Sequence, residues 1–485
     1  MHDNQSHKQA FWFTLINYAA ILIGMLFTLF LYPKNYAFYG EIAFIDSIAQ
    51  ILYPVMVFGG AQALIHFYPN LSLDNKKKLF KFSLRTILTL FVIVSVIVLL
   101  VAYTSNWDKL KFLYFGLPLA LLMALIELFK RQAANLQKIA IPTFFDKIIP
   151  KIGLPVVFIL FYLGYISQNF AFVGFVFFYF VLIVLLSNYL FKHFSIETET
   201  GFTTLFDHFS KREYFTYSFF SFLGSFGSFL AFRVDGIMIP EFLDFEANGA
   251  YRNAVNFAAA MSIPATGMFT IYAPQISAYI KNKDWETLQM KYVETGKLLF
   301  FIGAIILGCV LVSAEPFFNV LPTSEKLLPI LPIIYLLGAN VLFNMATSFN
   351  SEIISYSKYY RFNIYAVLIL VVVNVVLNYI LLTQTNLGNV GVALATLTSL
   401  ILFNVAKLFF IYKKMALLPF DKNYAILIVV LGIIISIVIV LPSFSNYWLE
   451  AIFKSALLIV LSIVLVYKLK LIPVLTHWMS KTLKK

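Results

Sequence analysis

The sequence predicts an all-α membrane protein that crosses the bilayer about fourteen times. Three observations predict it. Of 485 residues, 61% are hydrophobic and 12% charged, where a soluble domain carries about 45–50% apolar and about 25% charged residues. Mean hydropathy is +0.86. The apolar residues gather into runs of bilayer-spanning length, and the basic residues concentrate on alternate connections. This composition excludes an ordinary soluble enzyme. The lone Cys309 lies in the apolar run 299–312, which excludes a disulfide framework and a cysteine metal site.

The elements follow in order. The run 11–31 is too long for a signal-peptide core, has only Lys8 nearby and precedes no small-residue cleavage site, so it reads as a retained helix within span 10–32. Span 39–67 carries Pro54 and the pair Gly59–Gly60. Spans 82–103 and 112–136 come next, the latter with Pro118, and Pro142, Pro150 and Pro155 crowd the start of span 145–164. Spans 168–191, 214–238 and 248–275 follow, the last bent by Pro264 and Pro274. The remainder are 294–314, 328–354, 362–383, 389–411, 424–442 and 449–469.

With the N-terminus inside, about 29 of the 36 Lys and Arg fall at cytoplasmic ends and about 7 outside. The inner group includes Lys76, Lys77, Lys78, Lys130, Arg131, Lys413, Lys414 and the tail Lys481, Lys484 and Lys485. This asymmetry places both termini in the cytoplasm. It also explains the net charge of +13 without a nucleic-acid partner. The longest connections, 193–212 and 277–291, leave no room for a soluble domain, and 283–297 is expected to form a short interfacial helix carrying Trp285 and Tyr292.

Polar residues at helical spacing mark faces turned away from lipid. In span 328–354, Asn340, Asn344, Thr347, Ser348 and Ser351 share one face, with Glu352 beside it. The first span aligns Thr14, Asn17, Gly24 and Thr28; the seventh offers Ser218, Ser221, Ser225 and Ser228; the eleventh offers Asn374 and Asn378. Interhelical hydrogen bonding explains any one of these as well as substrate contact does. Together they predict a polar central cavity. Intramembrane charges require partners or water, and Asp46, Glu127, Lys147, Lys151, Arg233, Asp235 and Arg252 are such charges. Asp46, Arg233, Asp235 and Arg252 are expected in the outer half, where Arg233 and Arg252 suit an anionic headgroup or, alternatively, snorkel to the interface. Lys130, Arg131, Lys147 and Lys151 read as topology-setting charges. Asp46, Asp235, Glu127 and Glu352 are the candidate ion-coupling sites. No metal site and no cofactor are expected, and Gly296-Lys297-Leu298 lacks the upstream glycine of a P-loop.

A faint repeat sets Gly40 and Pro54 against Gly249 and Pro264, each glycine beside a tyrosine, Tyr39 or Tyr251. It organises the chain as a first bundle over 1–192, a cytoplasmic connection over 193–213, a second bundle over 214–412, and two further helices with a basic tail over 413–485.

Several segments resemble the polysaccharide flippases of the multidrug/oligosaccharidyl-lipid/polysaccharide (MOP) exporter superfamily. They are Asn17-Tyr18, Gly24, Pro33, Tyr39-Gly40, Ser47, Gly59, Ala63 and Phe67-Tyr68-Pro69; Arg233-Val-Asp235 with Gly249-Ala-Tyr251; and Asn374, Asn378-Tyr379 and Gly388-Asn-Val-Gly391. The pattern departs from the family where Leu31 and Tyr32, rather than an arginine, precede Pro33. The resemblance implies a V-shaped fold of two six-helix bundles plus two C-terminal helices. It implies a monomer in the bacterial cytoplasmic membrane that moves an undecaprenyl-diphosphate-linked oligosaccharide across it, alongside other polysaccharide-assembly proteins. Arg233, Arg252, Asn17, Asn340, Asn344, Ser348, Asn374 and Asn378 are then the cavity candidates. The alternatives are a cation-coupled multidrug antiporter of the same superfamily and a membrane glycosyltransferase or polymerase using Asp244 and Glu246.

Overall fold

A computed structural model describes residues 23–196, 202–207 and 209–476. Asn17, Thr14, Lys8 and the tail lysines Lys481, Lys484 and Lys485 lie outside the described residues. Those described form helices and connecting turns, without a strand.

The chain forms two compact units: Asn35–Gly249 with the residues up to Phe27, and Ala250–Lys485 with Thr28–Lys34. Helix α1, described over 23–30, and a short 3-10 turn precede α2 (Tyr36–Val57), which opens the main run of the first unit. There follow α3 (Gly60–Phe67), α4 (Leu73–Thr104), α5 (Leu110–Asn135), α6 (Ala140–Tyr162), α7 (Gln168–Phe191), α8 (Lys211–Arg233), α9 (Asp235–Phe242) and the start of α10 (Phe245–Met261). Helix α2 is the hub, packing on α4, α5, α8 and α9. Its apolar wall is aromatic: Phe44 meets Phe112 edge-on at 5.4 Å, and Phe38 stacks on Phe161 at 3.9 Å.

The second unit holds the rest of α10, then α11 (Ile263–Lys281), α12 (Trp285–Asn319), α13 (Ser324–Leu327), α14 (Leu331–Ala346), α15 (Asn350–Tyr356), α16 (Arg361–Gln384), α17 (Asn389–Met415), α18 (Lys422–Val440) and α19 (Tyr447–Lys468). Helices α18 and α19 pack on α12 through Tyr424, Leu427, Leu431, Leu458 and Val466. The C-terminal pair is therefore part of the second unit. A buried ion pair, Lys454 to Glu450 at 2.6 Å, lies within α19.

Eleven described helices are long and apolar enough to span a membrane, and α10 with α11 makes a twelfth if that pair, bent by 48°, is one span. The protein is a multi-pass membrane protein. The count of about fourteen is not established: α6 carries Asp146, Lys147 and Lys151 and is not among the eleven, and most of span 10–32 lies outside the described residues.

Three expectations change and one holds. The second span is two helices, because Phe58 (φ 44°) and Gly59 (φ 71°), four and five residues after Pro54, both turn left-handed. The seventh is one span over Lys211–Phe242, in which the helical Val234 joins α8, ending at Arg233, to α9, opening at Asp235. No separate interfacial helix occupies 283–297. Asp284 caps Thr287, no proline interrupts the next turns, and α12 runs unbroken for 35 residues with Tyr292 fully buried against Phe349. The polar stripe of the tenth span is broken where Ser348 takes φ 53° between α14 and α15.

The units also part at 249/250 rather than at the 193–213 connection. The cause is close packing on α2 and α3. A Cβ on Gly59 would strike the Ser218 backbone, one on Gly236 would strike Ser47 Oγ, and Asn248 Nδ2 donates to the Gly40 carbonyl at 2.8 Å. These ties hold 211–249 to the first unit. They also set the two glycines of the faint repeat against each other, since a Cβ on Gly40 would crowd the Gly249 nitrogen.

Candidate functional site

In the first unit, the end of α2 and the break after it open a cavity of about 220 Å³. Tyr53 comes from the last turn of α2, Gln62 from α3, Glu127 and Arg131 from one face of α5, and Ser225 and Phe229 from one face of α8. The left-handed Phe58–Gly59 turn directs α3 away from the α2 axis, and only a glycine at 59 lets α8 come so close. Gln62 Nε2 donates to Ser225 Oγ at 3.2 Å, and its buried Oε1 has no partner among the described residues. Phe229 meets Tyr53 edge-on at 5.0 Å.

The wall is charged. Arg131 Nε donates to Glu127 Oε1 at 2.7 Å, and Lys130 Nζ pairs with Asp146 Oδ2 at 2.8 Å. Tyr53 is within electrostatic reach of Glu127, Arg131, Arg233 and Asp146. Counting Lys130 with these gives three cations to two carboxylates. The terminal nitrogens of Arg131 engage no partner among the described residues. Their fork geometry suits a phosphate or carboxylate. On α6, Lys151 Nζ lies beside Gly24 of α1, 3.5 Å from where a Cβ would stand, with Lys147 as its electrostatic neighbour.

The second unit holds a different polar cluster at the α14–α15 break. Asn404 Oδ1 accepts from Asn350 Nδ2 at 3.0 Å and from Thr347 Oγ1 at 3.4 Å. Lys407, 2% exposed, donates to Ser351 Oγ at 2.6 Å and sits 3.8 Å above the Phe403 ring. Glu352 is its electrostatic partner, and the buried Tyr292 hydroxyl, unpartnered among the described residues, also senses Glu352.

The candidates from sequence therefore divide. Glu127, Ser225 and Arg233 come together around Tyr53 in the first unit. Asp46 is buried and accepts from Gln50 at 2.7 Å, and the buried Asp235 opens α9, which closes on Ser47 next to Asp46. Arg252 is half-buried on α10 in the second unit. Asn374 and Asn378 are buried and bonded to each other at 3.2 Å within α16. Asn340 is half-buried with its Oδ1 unpartnered, Asn344 is exposed, and Ser348 is buried in the break. Sequence reasoning missed Tyr53, Gln62 and Lys407, and gave Arg131 a topological role. Lys407 carried a usable signal: it is a cation one turn from Asn404 inside an apolar span.

The fold is similar to those of several solved membrane-protein structures. The structure of the lipid II flippase MurJ in an inward closed conformation matches with a TM-score of 0.71 and 15% identity, covering 94% of this chain and 99% of that one. A multidrug resistance MATE transporter in its inward-facing conformation matches at 0.57 with 15% identity, over 84% of this chain and 94% of that one. A MOP superfamily transporter from Pyrococcus furiosus, described as having a binding pocket of reversed polarity, matches at 0.52 with 14% identity, over 83% and 95%. No family model and no curated protein sequence matches this chain.

Proposed function

We propose that the protein is a flippase carrying an undecaprenyl-diphosphate-linked oligosaccharide across the bacterial cytoplasmic membrane by alternating access, for O-antigen, capsule or exopolysaccharide assembly. The observation that carries this reading is the cationic wall around Tyr53, where the Arg131 fork is open to an anion. A diphosphate needs such donors, the sugars need hydroxyl and amide partners of the Gln62 and Ser225 kind, and the polyprenyl tail can stay in lipid. The near-complete match to a flippase of another lipid-linked substrate supports it. In this reading the chain acts as a monomer with both termini cytoplasmic, beside other polysaccharide-assembly proteins. It performs no covalent chemistry and uses no cofactor. Ion coupling falls to Glu352, with Lys407 as its electrostatic partner, before Asp46, Glu127 or Asp235, because among the described residues no other charged group acts on that pair.

The second reading, a cation-coupled multidrug antiporter, rests on the MATE-like fold and on Glu127 and Asp146 near Tyr53. Both carboxylates already face cations, which disfavours a cationic drug. An enzymatic role is weaker still, since Asp244 caps α10 by accepting from Ala247 N at 2.7 Å. Complementation of a deletion strain separates the readings. Restored surface polysaccharide with unchanged sensitivity to cationic drugs is expected. Restored drug tolerance without polysaccharide would select the antiporter, and accumulation of unpolymerised surface repeat units in the deletion strain would select a polymerase.

A further inference from the structure

A second pocket, of about 540 Å³, lies in the second unit between the C-terminal ends of α11 and α17, the beginning of α12 and the turn from α15 to α16. Four lysines line it, Lys283, Lys358, Lys413 and Lys414, and no acidic side chain does. Among the described residues none of the four forms an ion pair. Lys413 and Lys414 are in the last turn of α17, where a cation also answers the helix dipole. Lys283 and Lys358 stand in turns between helices, Lys283 with φ 57°. The left-handed turns at Lys283 and Ala416 fold the two connections back so that the lysines share one concavity. Trp285 and Tyr412, both exposed, complete the rim. Lysines and aromatics at the ends of apolar helices mark the headgroup level of a bilayer.

We infer that this pocket binds the phosphodiester headgroup of an anionic membrane phospholipid, with its glycerol and upper acyl carbons against Trp285 and Tyr412. Four like charges drawn into one concavity repel one another unless an anion sits among them, and basic pockets between membrane helices take such headgroups. The pocket volume is within the range of small-molecule sites. The apolar rim favours a lipid over a free phosphate, which has nothing to place there. This site belongs to the second unit and does not depend on what the protein transports.

The test uses the full-length protein, with dioleoyl phosphatidylglycerol, dioleoyl phosphatidylcholine and inorganic phosphate as probes, and native mass spectrometry as the readout. The double variant K358Q/K413Q is compared with K468Q/K470Q, which removes two exposed lysines elsewhere in the same unit. Phosphatidylglycerol is expected to bind the wild type in preference to phosphatidylcholine. K358Q/K413Q is expected to weaken it about tenfold or more, at about 1 kcal/mol per lysine, and K468Q/K470Q to leave it within about twofold. Unchanged thermal unfolding of both variants shows that the loss is not misfolding. Equal weakening by the control pair, no preference for the anionic lipid, or displacement of the lipid by inorganic phosphate at equal concentration would each overturn the inference.

Discussion

Arg131 and Lys407 show how much meaning a charge takes from its surroundings. Sequence alone files Arg131, beside Lys130, under topology and passes over Lys407 inside an apolar span. In the folded chain Arg131 opens its fork beside Tyr53, while Lys407 is sealed against Ser351 and Phe403. Replacing Arg131 with glutamine is expected to slow translocation of a diphosphate lipid about tenfold, the loss of one charge-assisted hydrogen bond, with normal membrane insertion. A transport assay on reconstituted protein checks this, and R131K, which keeps charge but not the fork, falls between the two. Lys407→Met removes the donor to Ser351 and the charge that acts on Glu352, and is expected to destabilise by about 1–3 kcal/mol. Adding E352Q restores part of that loss, which a double-mutant cycle of unfolding midpoints in detergent measures.

At the scale of elements, breaks decide the site more than helices do. Gly59–Gly60 after Pro54 is legible as a weak point, and the structure turns there into the cavity mouth. Gly59→Ala combines a left-handed backbone with a clash on the Ser218 backbone. It is expected to cost about 1–3 kcal/mol and to lower the yield of folded protein, measured by size-exclusion chromatography, whereas Gly432→Ala, which meets nothing within 4 Å, is neutral. The break at Ser348 was not legible, because neither glycine nor proline marks it. It depends on Asn404 bonding to Asn350 and Thr347 from α17, a partner far away in sequence. The same holds in reverse for α12. Its polar start suggested a surface helix, but Tyr292 is buried by Phe349, which the local pattern does not reveal.

For the molecule as a whole, hydropathy and charge asymmetry are enough to predict a multi-pass all-α protein, since both follow from the bilayer rather than from packing. The division of labour between units was less accessible. Residues 211–249 join the first unit through glycine-sized contacts that carry no hydropathy signal. The fold common to MurJ and MATE structures accommodates lipid-linked and drug substrates alike, so the sign of the charge around Tyr53 has to discriminate. Leaflet-to-leaflet movement of a fluorescent undecaprenyl-diphosphate oligosaccharide in proteoliposomes tests that claim most directly. The account predicts movement by the wild-type protein, reduced about tenfold in R131Q and not inhibited by a cationic dye. Wild-type protein that leaves the lipid in place but exports the dye would contradict it.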